Sequence, residues 1–574
     1  MFAQAQTRIA AGALALAVAG ALPPGASAQS LNPMPAKPVV DGNGVDLVNW
    51  TYSLDLAPIS IGPAGQDPIK VSVNYPTERD SYYSSLIIRD PSWQASTRAT
   101  ATIGLKTWSI LNGGVVSEPM SYISYGMDSA VLTDRDGTLI EYAYPPGYFG
   151  GQSEEASMCA AKITKPNGEV LTYHNKEVTL GCRTQSIVSN RGYQIKYEYN
   201  HSGYQQSRSK IILINNAYEY CDPTADSCTL TMPWPSVSLP ATATNGVRTY
   251  SNHLGQAWAV SATSLLSPGE TTPSLQWTTQ SYVPANVVGS WSWRVTSMTR
   301  AGQTWTYSYP SSDAVLGGTT GQLLRIQDPL GKAARYRRSM GDAGGNPSSG
   351  EYEYPSVLTS SVNELGNVRK YTYDSQWSLT GVELPEGNKH VATYNAYGDL
   401  LTHTIQPKPG SGLANIVTSA SYTNCCNKPD STTDGRNNTT SYTYDPTHGG
   451  ILTETAPADS NGLQAVKRYA YVQRYAWVKN SVGSYSQAAT PIWVLSTEKT
   501  CRTSATVSGS CGAGSADEVT VSYDYGPNSG PNNLWVRGKV VTAGGVSLRA
   551  CYGYDAVGNK ISETSPRAGL TSCP

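Results

Sequence analysis

One short word recurs along the chain: a Gly turn, a polar strand, then Tyr-x-Tyr, often followed by Asp. Gly366 leads to Tyr371, Tyr373 and Asp374. Gly435 leads to Tyr442, Tyr444 and Asp445, and Gly545 leads to Tyr552, Tyr554 and Asp555. The lead Gly and the last Tyr are 7, 9 and 9 residues apart. Tyrosines two apart share one face of a strand, and Tyr packs well on a pleated surface. Asp, Asn and Gly then supply turn chemistry, through side-chain bonds to the following backbone and through positive φ. The word therefore predicts strand, tight turn and returning strand, repeated. Helical periodicity is almost absent after residue 30, and stretches such as 210–216 and 519–525 run or alternate at period two.

Weaker copies extend the array toward the N-terminus. Gly137 precedes Tyr142 and Tyr144, Gly192 precedes Tyr197 and Tyr199, and Gly302 precedes Trp305, Tyr307 and Tyr309. The spacing is loose, so insertions fall between units as surface loops. The expected fold class is all-β: a long, repetitive antiparallel sheet of β-hairpins. A chain of 574 residues would by length suggest several domains, but one continuous repeat sheet can be long without splitting.

Composition narrows the function classes. Net charge is −1, so electrostatics argue against nucleic acid or an anionic membrane as a partner. There are 38 Tyr and 2 Phe, which favours rings whose hydroxyls reach water or a polar partner, and a thin, wet sheet over a compact globule. Residues 1–28 read as a secretory signal peptide: Arg8, an apolar run from Ile9 to Leu22, a Pro-Pro-Gly break, and Ala26-Ser27-Ala28 as a cleavage site. Export to the periplasm, the outer cell surface or the medium of a bacterium follows. Ten cysteines agree with an oxidising destination and fall into local pairs. The disulfide candidates are Cys159 with Cys182, Cys221 with Cys228, Cys501 with Cys511, and Cys551 with Cys573. Zinc is the competing reading for Cys221 and Cys228, but their spacing is wide for a knuckle and no His pair is near. Cys425 and Cys426 are adjacent; bonding neighbours strains the ring, so they pair elsewhere or stay reduced.

No metalloprotease helix, nucleophile elbow or phosphate-binding Gly loop is present, and the six histidines are scattered. No catalytic residue, cofactor or metal site is expected, and paired carboxylates for glycoside chemistry cannot be located among the acids. The Trp-rich stretch 216–300 offers Trp291 and Trp293 as rings for stacking on a sugar, against the alternative that its Trp residues are core anchors.

The repeat resembles the RHS/YD-repeat family of rearrangement-hotspot proteins. The residues that carry the resemblance are Asn363–Gly366 through Tyr373-Asp374, Tyr444-Asp445, and Tyr554-Asp555 with Gly558-Asn559. The best matches cover roughly 320–574. The resemblance implies a β-ribbon wound as an open spiral or partial shell, which in better-known members encloses a C-terminal toxin. Asp328-Pro329-Leu330-Gly331 matches part of the family's shell-closing word, but Leu323 and Lys332 depart from it, so it reads as a repeat turn. The expected organisation is a signal peptide (1–28), a flexible leader (29–40), a β cap over the sheet's first edge (41–130), early irregular repeats with the Trp-rich insertion (131–300), and the main array (301–574), which stops mid-repeat. The function expected is a non-enzymatic, secreted or surface scaffold that encloses or presents a polypeptide, with a downstream chain completing the shell. The alternative is a module that binds a carbohydrate or cell-envelope glycan through exposed Tyr and Trp.

Overall fold

A computed structural model describes residues 40–574, apart from 76–78, 81–83, 90–97, 104–105, 112–113, 116–120, 127, 135, 145–154, 179–180, 201–207, 241–242, 283–291, 340–356, 376, 423–427 and 508. The proposed signal peptide, most of the leader, Trp291, Cys425 and Cys426 lie outside the described residues. Among those described, the only helical turns are the short 3-10 turns Ser515–Asp517 and Pro566–Ala568. Everything else regular is antiparallel strand. No described helix is long and apolar enough to cross a membrane.

The main sheet is long and open. From Ser84–Arg89 onward most strands pair with the next in the chain, through Leu358–Val362, Val368–Tyr373, Leu379–Glu383, Lys389–Tyr394 and Leu400–Gln406. Strand Ser84–Arg89 also turns back onto Glu155–Thr164. The last strand, Lys560–Glu563, is paired on one side only among the described residues, to Val546–Tyr554.

One device recurs in the turns. In many of them an Asp or Asn opens the turn, and its Oδ1 accepts the N–H groups two and four residues on. Asn363 takes those of Leu365 and Asn367 at 3.0 and 2.9 Å, and Asn395 takes those of Tyr397 and Asp399, both at 2.9 Å. Asp328 and Asp459 repeat the pattern. The fourth residue must adopt positive φ, hence Gly366 at 84° and Gly398 at 82°. In the turn from Asp434 the position is held by Asn437, at 65°, an Asn being the next best tenant of left-handed backbone.

The Tyr-x-Tyr word does more than place two rings on one face. The first Tyr is buried: Tyr371, Tyr442 and Tyr552 all are. A β-bulge then falls just before the second, between Thr372 and Tyr373, Thr393 and Tyr394, Thr443 and Tyr444, and Gly553 and Tyr554. A bulge bends and twists its strand, and the second Tyr reaches sideways. Its hydroxyl donates to a backbone carbonyl at or beside the preceding neighbour strand: Tyr373 to Leu358 at 2.7 Å, Tyr394 to Leu379 at 2.9 Å, and Tyr444 to Pro429 at 2.8 Å. Tyr199 does the same to Thr184 at 2.7 Å, and the separation is 15 residues each time.

The inside is drier than composition suggests. A single core joins Val45, Leu47, Trp50 and Leu56 to Ile195, Leu213, Trp277 and Trp535. Residues 54–75 do not extend the main sheet as an edge cover. Ile69–Tyr75 pairs with Leu54–Ile61 on one side and Arg79–Asp80 on the other in a separate three-stranded sheet, and Leu54–Ile61 packs against Arg208–Asn215 and Arg248–Asn252. Apolar alternation in these short strands is satisfied by a face, which buries more than an edge does.

Removing the hydroxyl isolates the Tyr tie. Tyr373→Phe, Tyr394→Phe and Tyr444→Phe should each lower stability in chemical denaturation by about 1 kcal/mol. Tyr397→Phe, an exposed turn residue, should leave it unchanged.

Candidate functional site on the inner face of the coil

The ribbon winds back on itself. Residues near 167–218 meet residues near 477–556, and the contacts form a seam. The Trp493 N–H donates to the Asn167 carbonyl at 3.0 Å, and the Lys479 N–H to that of Asn216 at 2.7 Å. Asn190 donates to the Thr490 hydroxyl at 3.0 Å across 300 residues, and the Tyr485 hydroxyl donates to the Ala217 carbonyl. Asn215 is the most heavily used: buried, it donates from Nδ2 to Asn532 Oδ1 at 2.8 Å and to the Ala556 carbonyl at 2.9 Å. These separations, from 263 residues between Asn216 and Lys479 to 341 between Asn215 and Ala556, set the length of one coil.

The small N-terminal sheet and the loop before it sit against the inner face and touch both coils. Toward the early coil, the Val295 N–H donates to the Trp50 carbonyl at 3.0 Å, Asn43 Nδ2 donates to the Tyr307 hydroxyl at 3.0 Å, and that hydroxyl donates to Asp41. The Arg338 guanidinium lies 3.7 Å over the Trp50 ring. Toward the late coil, the Gly62 N–H donates to the Val557 carbonyl at 2.7 Å, Gln66 Nε2 to the Tyr554 hydroxyl at 3.0 Å, and the Val536 N–H to Gln66 Oε1 at 2.7 Å. Glycine is required at this crossing: a Cβ on Gly558, whose φ is 104°, would stand 2.5 Å from the Gly62 backbone. Between the coils, Trp535 Nε1 donates to the Tyr193 hydroxyl at 2.6 Å. Burial pushes that hydroxyl up to about 12, so it stays protonated.

The cysteine candidates fall as follows. Cys221 bonds Cys228, Cys501 bonds Cys511, and Cys551 bonds Cys573. Cys159 is disulfide-bonded, and the Cys182 side chain lies outside the described residues. Cys221–Cys228 staples a loop over a residue that sequence reasoning missed. Lys196 is fully buried, and its amine donates to the carbonyls of Asp222 and Ala225 in that loop. Burial lowers the amine to about 8. Cys501, Cys511 and Asp517 form the one three-residue cluster of possible metal ligands among the described residues. The thiols are consumed in their bond, and the Asp517 carboxylate is filled by four donors from Thr503 and Ser504.

The Trp-rich stretch divides. Trp234 and Trp277 are core residues, Trp277 against Tyr52 and Tyr75. Trp293 is 61% exposed, and Trp291 is outside the described residues. The repeat-motif residues Tyr373, Tyr444 and Tyr554 are ties, while Asp374, Asp445 and Asp555 accept turn N–H groups, as in the three bonds to Asp555 Oδ1.

Two histidine sites that the sequence left as isolated residues are packed. His390 Nδ1 and His403 Nε2 are 2.9 Å apart in a stacked pair. His448 lies against Tyr471 and Trp493 and accepts the Gly450 N–H at Nδ1. Burial holds His390 and His448 below the usual imidazole value, and for His448 it outweighs the neighbouring Asp445.

No protein-family model matches the chain, and no curated protein matches it. Among solved structures it is similar to a TcdB2-TccC3-Cdc42 crystal structure, at TM-score 0.28 and 11% identity, covering 84% of this chain and 26% of that one. A TcdB2-TccC3-TEV structure gives 0.28 and 9% over 89% and 31%. A Photorhabdus luminescens Tc holotoxin pore gives 0.27 and 10% over 82% and 26%. The chain spans less than a third of these proteins' length.

Two outcomes test this geometry. Asn215→Ala removes both seam bonds and should cost about 2–3 kcal/mol, with hydrogen exchange rising around 532–557 and unchanged in 358–406. The lowered histidines give a pH dependence. The unfolded chain takes up protons near pH ~6.5 while the folded chain resists, so stability present above that value is lost as pH falls through it. In His448→Gln the loss of denaturation midpoint between about pH 7 and 5 should be smaller.

Proposed function

We propose that this chain is a non-enzymatic scaffold, part of an RHS-type β-shell that encloses or presents a polypeptide. The observation that carries the reading is that the inner face already holds polypeptide. Residues 41–75 lie against it, fixed by apolar packing and by backbone and side-chain bonds to both coils. A face that takes one segment this way has the chemistry to take another: Tyr rings, carbonyls and hydroxyls in alternation. The seam supports the same reading, because coils locked edge to edge make a wall. The disulfides suit an oxidising destination, and the reading places the chain secreted, periplasmic or on the cell surface. A separate chain that continues the sheet belongs to the same proposal.

The glycan-binding reading rests on the exposed ring of Trp293. It is the weaker of the two, since Trp234 and Trp277 serve the core.

Isolation from the native host without denaturant decides between them. A companion polypeptide should co-purify, resist added protease while the scaffold is folded, and become cleavable after unfolding. Recovery as a lone monomer, with no companion by mass spectrometry, would sink the scaffold reading.

A further inference from the structure

Three hairpin turns on one side of the sheet and residues Val40–Asn43 line an open pocket of about 450 Å³. Its apolar lining is Trp305, Tyr336, Ile326 and Ala334. Ile326 and Ala334 are buried, while the two rings are half-buried and belong to the margin of the core. Its charged lining is three carboxylates, Asp41, Asp328 and Glu364, against one guanidinium, Arg300.

The carboxylates are not equally engaged. Asp41 accepts the N–H groups of Asn43 and Val45 and the Tyr307 hydroxyl. Asp328 Oδ1 accepts the N–H groups of Leu330 and Lys332 and so builds its turn. Glu364 has no hydrogen bond or ion pair among the described residues and is exposed. Besides burial, Glu364 and Asp41 both act on the Tyr336 hydroxyl and help push it up to about 12.

Apolar groups stand beside this acidic pocket. Leu330 and Leu365, at the tips of the turns that carry Asp328 and Glu364, are 82% and 76% exposed. Neither is packed in the core, so each is available to a molecule that enters the pocket between those turns.

We infer that this pocket receives a basic side chain, arginine or lysine, from a polypeptide whose flanking apolar residues rest on Leu330 and Leu365. Aromatic faces attract a cation electrostatically, and carboxylates meet it with charge-assisted hydrogen bonds. With three carboxylates to one guanidinium, the lining favours a cation over an anion. A sugar would use the rings and the carboxylates but would leave the two leucines uncovered. The inference stands apart from the scaffold reading, because binding is read on this chain alone, while that reading depends on a companion polypeptide from the host.

Fluorescence anisotropy on the full chain tests it, with a labelled peptide Gly-Leu-Arg-Leu-Gly and a twin carrying neutral citrulline for arginine. The arginine peptide should bind and the citrulline peptide should bind about tenfold more weakly. Glu364→Gln, in an exposed turn where folding is not at stake, should weaken the arginine peptide by a similar factor. Leu365→Ser should weaken both peptides equally by about threefold. Raising the salt to about 0.5 M should reduce the arginine preference. Equal affinity for the two peptides, no binding of either, or an unchanged affinity in Glu364→Gln would overturn the inference. So would saturable binding of a neutral oligosaccharide that Trp305→Leu abolishes while peptide binding is absent.

Discussion

The hydroxyl of the second tyrosine in each unit is the bond on which the rest of the ribbon depends. A long sheet one layer thick has few ways to fix the angle between successive hairpins. The bulge before that tyrosine supplies a bend, and the bond to a carbonyl of the preceding strand holds the bend at one value. Phe cannot make this bond, so these positions require Tyr in a chain that has 38 Tyr and only 2 Phe. Repeated at Tyr199, Tyr373, Tyr394 and Tyr444, equal bends accumulate into a coil.

The coil then creates contacts that no single repeat contains. Because contacts across the seam join residues from 263 to 341 apart, residues of the early repeats meet the hairpin 477–487 and the strands near 532–556. Asn190 and Asn215 are ordinary turn and strand-end residues in sequence, and they become seam residues only through this closure. The inner space produced by winding is the space the N-terminal sheet fills, so core and coil depend on each other.

Much of the architecture was legible in the sequence. Strand, Asx turn and positive-φ glycine could be read from Asn363–Gly366 or Asp555–Gly558, because those signals are local and act through neighbouring backbone. The partner of the Tyr hydroxyl was not read, although the 15-residue separation shared by Tyr199, Tyr373, Tyr394 and Tyr444 is a usable signal: it follows from two strands and one turn of fixed length. The position of residues 54–75 was illegible for a different reason. Alternating apolar residues say that a face is buried, not against what. Lys196 was missed because nothing local marks a lysine that a disulfide loop will cover. The acidic pocket takes Arg300, Asp328 and Glu364 from neighbouring hairpins of the sheet, and only the packing of the N-terminal loop against the sheet adds Asp41.

The crossing of Gly62 and Gly558 bears on how the molecule can be made. Gln66 and Tyr554 are 488 residues apart, so the sheet near residue 60 finds these partners only after that length of chain has been made. Loop closure on this scale is slow, and structures dominated by distant pairings fold slowly. A chain made from its N-terminus would hold that sheet half-packed, with Leu56, Ile61 and Val71 against the early coil alone, until residues 536–558 arrive. The two glycines then act as a latch set last: their lack of side chains lets an already formed wall slide into place over an already formed interior.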